Sequence, residues 1–211
     1  MIRAVFFDVG GTLIHPWPSV GSVYARVGKK FDIHASAEAM EQAFRSAWKE
    51  SKRGALTTSN KEWWRSLVSR AVPNARDGYF EALYEEFAQP DAWRIFPDVF
   101  ETLTECRSRK LHVGVISNWD ERLRPLLERL DLSRYLDSLT ISCEVGAEKP
   151  AAAIFRAALR AAGTSAGEAL HVGDSEVDDV AGAEAIGMNA LLVRGDWAAV
   201  RARITSLAVC A

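Results

Sequence analysis

Ala4-Val5-Phe6-Phe7-Asp8-Val9-Gly10-Gly11-Thr12 decides the fold. Its first four residues are apolar, include one valine and two phenylalanines, and read as a short buried strand. The run stops at a carboxylate followed, one residue on, by two glycines. An aspartate directly after a buried strand is costly unless something neutralises it. Asp8 is therefore a candidate functional residue, although an aspartate before Gly-Gly also fits a plain turn.

After this strand the pattern turns helical. Val20, Val23, Tyr24, Val27 and Phe31 recur at helical spacing, as do Met40, Ala43, Phe44, Ala47 and Trp48. Ser59 and Glu62 form a capping-box signature before Trp63, Trp64, Leu67, Val68 and Ala71. Tyr79, Phe80, Leu83, Tyr84 and Phe87 make a fourth stripe, closed by Pro90. Four striped helices with no strand between them predict a small bundle whose aromatics form its core.

From Pro97 strands and helices alternate. Asp98 and Glu101 read as a second capping box, opening a helix to about Lys110, in line with the signals of helix starts. Strands are expected at Val113–Ser117, Leu139–Cys143, Leu170–Gly173 and Ala190–Val193. Between them lie helices marked by Leu123, Leu126, Leu127 and Leu130, then by Pro150 as a first helical position through Ala162, then through Val180 and Ala185. Trp197, Val200, Ile204 and Leu207 mark the last helix. Such alternation implies parallel strands with helices on both faces. The expected architecture is an α/β fold, an open doubly wound parallel sheet, with an α-helical bundle inserted after the first strand. Residues 1–16 and 94–211 form the core domain and 17–93 the helical cap. An insertion of this kind can form a lid over a site.

A chain of 211 residues with ordinary apolar and charged fractions can bury a sizeable core. A net charge of −2 gives no electrostatic reason to expect nucleic acid or an anionic membrane as partner. Cys106, Cys143 and Cys210 are odd in number and far apart, which favours unpaired thiols over a disulfide or a zinc site. The first apolar run is too short for a secretion signal and nothing approaches membrane-spanning length. The expectation is a protein of the reducing cytoplasm, monomeric or weakly dimeric.

In open parallel sheets, ligands bind beyond the carboxyl ends of the strands. Here those ends carry Asp8 with Gly10, Gly11 and Thr12; Ser117 and Asn118; the loop Glu144 to Lys149-Pro150; and Asp174 with Asp178 and Asp179. Parallel strands place all four clusters on one rim. Singly, Ser117-Asn118 reads as a helix cap, Lys149 as a solvated lysine, and the aspartates of the last cluster as helix-dipole charges. Together, two aspartates at one rim call for a cation or a proton between them.

These four stretches resemble the motifs of the haloacid dehalogenase-like hydrolase superfamily, in order and over the full chain, including a helical cap after the first motif. The matching residues are Phe7 to Leu13, Val115 to Asn118, Glu148 to Pro150, and Val172 to Asp174 with Asp178 and Asp179. The resemblance implies a Mg²⁺-dependent phosphatase acting on a small phosphorylated metabolite. Asp8 would attack phosphorus to give an aspartyl-phosphate. Asp8, the Gly10 carbonyl, Asp174 and Asp178 would serve the metal. Ser117 and Lys149 would clamp the phosphoryl oxygens, with Gly11 and Asn118 also on the phosphate, and Thr12 would orient the nucleophile loop.

One departure matters. The family's second aspartate, the proton shuttle, falls at Gly10, which has no side chain. Acid–base catalysis of that kind is typically worth about 10²–10⁴-fold. A smaller departure is Ala151-Ala152 after Lys149-Pro150. Three readings follow: a phosphatase that is slow or uses another shuttle such as His15; a binding protein without turnover; or cleavage of a carbon–phosphorus or carbon–halogen bond, the former needing a cap lysine such as Lys49 or Lys52. The dehalogenases share the missing aspartate but lack the metal-binding fourth motif that is present here.

Overall fold

The computed structural model describes residues 1–51 and 60–208, and Lys52, Ser59 and Cys210 lie outside them. The chain divides into two compact units, residues 1–14 with 95–211, and residues 15–94.

The strands in chain order are β1 (Ala4–Phe7), β2 (Ile14–Pro16), β3 (Trp93–Ile95), β4 (His112–Ser117), β5 (Ser138–Ile141), β6 (Ala169–Gly173) and β7 (Asn189–Leu192). Five of them form one parallel sheet in the order β5-β4-β1-β6-β7. β2 and β3 pair separately, where the chain passes between the units.

β1 is the central strand and all four of its residues are buried. Alternation along the strand sends Phe6 and Phe7 to opposite faces. Ala4, Phe6 and Ile116 pack with Ile154, Phe155, Ala158 and Leu159 of the helix Ala152–Ala162. On the other face the Phe7 ring lies 6.2 Å from that of Trp197, on the helix Trp197–Ala208, which packs against Val99–Ser108. Apolar helix stripes on both faces complete the expected doubly wound sheet.

Several local readings need correction. Asp98 adopts a left-handed backbone, φ 67°, and its side chain makes no cap. Instead Arg201 lies 3.1 Å from Glu101 and 3.9 Å from Asp98, so both carboxylates serve an ion pair with the last helix. β5 stops at Ile141, and a short helix, Ser142–Val145, takes Cys143 out of the strand. Pro150 precedes its helix by two residues, because Ala151 is extended. The segment after Asp174 is a π-helix, Glu176–Ala181, which bears on the site below.

The second unit contains the helices Val20–Gly28, Ala37–Glu50, Asn60–Ala71 and Tyr79–Glu86. Its apolar stripes meet around Tyr24, whose ring lies edge-on to Phe44, Tyr79 and Phe87 at 5.8, 6.5 and 6.2 Å. The Tyr79 hydroxyl is satisfied by donating to the Tyr24 carbonyl at 3.1 Å.

Phe6 tests the sheet placement. Phe6→Ala should cost about 3–5 kcal/mol, read from the urea midpoint at unchanged slope, because the core around a central strand closes poorly over a lost ring. A cost below about 1 kcal/mol would contradict its place at the centre of the sheet.

Candidate active site

From β1 the chain runs outward to β4 and β5, then returns to β6 on the other flank of β1. Connections that diverge in this way open a crevice at the carboxyl ends of the two central strands. Phe7 is in register with Val115 on one side and Val172 on the other. Asp8 and Asp174, each just past its strand, therefore flank that crevice. The Asp8 N–H still donates to the Val172 carbonyl at 2.9 Å, so the ladder holds its backbone.

Gly11 makes the close approach of the two loops feasible. Its φ is +80°, and a side-chain carbon there would overlap the Asp174 carboxylate. Its N–H donates to the Ile14 carbonyl at 2.8 Å, so Gly11 contributes room rather than a donor for a ligand. The Thr12 hydroxyl is 3.5 Å from Asp174 Oδ1, at the long limit of a hydrogen bond.

Asp8 Oδ1 accepts from Ser117 Oγ at 2.9 Å and from Lys149 Nζ at 2.7 Å. Lys149 is buried and also donates to Asp179 Oδ1 at 2.5 Å. That oxygen accepts from His171 Nε2 at 2.9 Å as well, while Asp179 Oδ2 accepts from the Ser175 N–H at 3.0 Å. Asn118 holds the Lys149 backbone from both sides: its Nδ2 donates to the carbonyl at 3.0 Å and its Oδ1 accepts from the N–H at 2.7 Å. The geometry thus gives Asn118 the task of fixing the lysine.

Charge follows these contacts. Burial opposes the Lys149 charge, but the Asp8 and Asp179 carboxylates outweigh it and hold the ammonium above the usual lysine range. Burial likewise opposes the Asp179 charge, and the His171 hydrogen bond and Lys149 cation hold it well below the usual carboxylate range. Burial pushes His171 down, and its Nε2 faces the Asp179 carboxylate, which can only accept. Asp174 lacks such a partner. Partial removal from water, then the negative charges of Asp8 and Asp179, push its carboxyl up to about 6. Because Asp174 still reaches solvent, the two charges are the part of that shift a cation would relieve.

Among the described residues, Asp8, Asp174 and Asp179 offer carboxylate oxygens within 4.8 Å of one another. An all-oxygen donor set of this kind, with three carboxylates around one ammonium, fits Mg²⁺. Both Asp179 oxygens already accept hydrogen bonds, which leaves Asp8 and Asp174 as the pair open to an ion. Asp178 stands outside the group, with its N–H on Ser175 Oγ at 3.0 Å. The π-helix explains why. Its wider turn takes the Val180 N–H to the Ser175 carbonyl at 3.2 Å, so position 179 comes round where α-helical counting puts 178. Adjacent aspartates 178 and 179 gave no sign of that choice. The sequence signal for His171 is its place inside an apolar strand, where a histidine needs a buried polar partner.

Of the other sequence candidates, His15 belongs to the second unit, its Nδ1 3.2 Å from the Pro16 carbonyl. Lys49 is exposed on the last turn of the helix Ala37–Glu50. Gly10 faces an indole: a side-chain carbon there would lie 3.1 Å from Cζ3 of Trp119.

A family model for haloacid dehalogenase-like hydrolases matches residues 2–187. The chain is 33% identical over 207 residues to haloacid dehalogenase-like hydrolase domain-containing protein 3 from Mus musculus, covering 92% of this chain and 82% of that protein. It is 29% identical to a ribulose-1,5-bisphosphate 5-phosphatase from Halopiger xanaduensis, covering 91% and 84%. Among solved structures, a phosphatase from Thermococcus onnurineus superposes with a TM-score of 0.66 at 27% identity, covering 92% of this chain and 86% of that one.

Asp174 yields a prediction with a definite sign. Its carboxyl moves from 3.8 to about 6 on folding, so its protonation stabilises the fold below pH 3.8 and that contribution is lost as pH rises through 6. Charged Asp174 is a net cost at pH 8 without metal. Asp174→Asn should then melt about 2–4 °C above the parent at pH 8 in EDTA, which allows for solvent screening, and the gap should close between pH 6 and 4. Added Mg²⁺ should raise the parent's melting point and leave that of the variant unmoved. A variant less stable than the parent in EDTA at pH 8 would contradict the uncompensated charge.

Proposed function

The chain belongs to the haloacid dehalogenase-like hydrolase family, and we propose that it is a Mg²⁺-dependent phosphatase of small phosphorylated molecules with Asp8 as nucleophile. One observation carries this reading. Asp8 Oδ1 is tied down by Ser117 and Lys149, while Oδ2 makes no hydrogen bond among the described residues. A carboxylate anchored through one oxygen and open at the other is oriented for attack.

Asp8, Asp174 and the Gly10 carbonyl would hold the ion, with Asp178 outside its reach in this arrangement. When bound, Mg²⁺ supplies the positive charge that lets an anionic phosphoryl group approach an anionic carboxylate. The chain's own residues do the rest. Lys149 offsets the charge of Asp8 and presents a cation to the phosphoryl oxygens. Ser117 orients Asp8 and has a hydroxyl beside the same oxygens. Asp179, itself fixed by His171 and Ser175, holds Lys149 in place. The presence of Asp174 favours phosphoryl transfer over carbon–halogen cleavage, because a dehalogenase has no use for a second carboxylate beside its nucleophile.

Gly10 sets the rate-limiting step. Without an acid at that position, leaving groups that depart as stable anions are favoured. Without a base there, hydrolysis of the aspartyl-phosphate is the slow step. Mixed with 4-nitrophenyl phosphate and Mg²⁺, the protein should release a burst of about one nitrophenolate per chain, followed by slow turnover. EDTA should abolish both phases, and Asp8→Asn should leave neither. Absence of turnover on aryl, acyl and alkyl phosphates together would favour the reading in which the site binds without reacting.

A further inference from the structure

A side chain at Gly10 would start two residues beyond Asp8, on the same short loop. The space it would grow into is filled. Trp119 Cζ3 is 3.1 Å, and Cη2 3.8 Å, from where a Cβ on residue 10 would sit. The glycine and the tryptophan are therefore matched, since a larger residue at 10 would have to displace the ring.

The indole is not a loose surface group. Trp119 follows Ser117 by two residues and is half-buried. Its backbone N–H donates to Ser142 Oγ at 3.1 Å, and the same hydroxyl donates back to its backbone carbonyl at 3.1 Å. The next residue, Asp120, is fully buried and accepts from Arg122 Nε at 2.8 Å and from the Arg122 N–H at 3.1 Å. The ring is thus carried on a backbone fixed on both sides, two residues beyond the serine whose hydroxyl bonds Asp8.

We propose that Trp119 is a specificity-determining residue: its indole forms an aromatic platform for the organic part of the phosphorylated substrate, in the place next to Asp8 where residue 10 offers no side chain. The inference rests on the phosphatase reading and narrows it to substrates whose group beside phosphorus is planar and apolar. An indole face supplies stacking and apolar contact and no exchangeable acid of useful strength. Substrates are then chosen by fit to a ring and react only where the leaving group needs no proton. Stacking of this kind corresponds to about 3- to 10-fold in affinity.

The test is binding of two unreactive phosphonates, measured by calorimetry with Mg²⁺ present. Phenylphosphonate should bind the parent about 3- to 10-fold tighter than methylphosphonate. Trp119→Leu should remove that preference by weakening phenylphosphonate alone, and Trp119→Phe should keep most of it. Gly10→Asp, which retains the tryptophan but pushes its ring aside, should lose the preference as Trp119→Leu does. Equal weakening of both phosphonates in Trp119→Leu would mean a structural role and overturn the proposal, as would a preference that survives it. Acetyl phosphate, a reactive acyl phosphate without a ring, separates the two readings in the parent protein. A Trp119-dependent preference without acetyl phosphate turnover would sink the phosphatase reading and leave the platform standing. Turnover without such a preference would do the reverse.

Discussion

The Lys149 ammonium between Asp8 and Asp179 is the contact on which the rest of the site depends. It joins three parts of the sheet that are distant in sequence: the end of β1, the loop after β5, and the π-helix after β6. A buried ion cluster is worth little as net stability, because desolvation offsets most of the Coulomb gain. Removing one member is another matter, since two buried carboxylates would then face each other uncompensated. The cluster is therefore a constraint on arrangement. Asn118, His171 and Ser175 each spend hydrogen bonds on keeping Lys149 and Asp179 where they are.

That arrangement divides the carboxylates by task. Asp179 is saturated and works as a support. Asp8 is half-engaged, fixed through one oxygen and free to react through the other. Among the described residues Asp174 has close negative neighbours and no ion-pair partner, and its raised pKa reflects partial burial first and those neighbours second. Compensation for two of three acids, and its lack for the third, is the feature on which the proposed binding of a cation and an anion together rests. Gly10 then removes proton transfer from what the loop can do, and the indole of Trp119 takes its space.

The sequence made the sheet and the strand-end clusters legible because both follow from short-range pattern. The four apolar residues of β1, the valines and isoleucine of β4, the leucines of its following helix, and the aspartates directly after β1 and β6 report burial and strand direction without knowledge of contacts. The parts that were missed depend on geometry that sequence does not encode locally. Asp98 and Glu101 spell a capping box, yet Asp98 takes a left-handed φ without capping, and both carboxylates lie within reach of Arg201. Asp178 and Asp179 are adjacent and identical in type, and one extra residue in a helical turn decides between them. Gly10 was visible as a missing aspartate, but its matching to Trp119, across two loops, was not.

The central claim is that Asp8 takes the phosphoryl group. Protein mixed with acetyl phosphate and Mg²⁺, quenched in acid and digested, should carry the mass of one phosphoryl group on the peptide that contains Asp8. The label should vanish when the peptide is exposed to mild base, as an acyl phosphate does. Product accumulating with no label on that peptide, or with label on a serine or histidine elsewhere, would contradict the account.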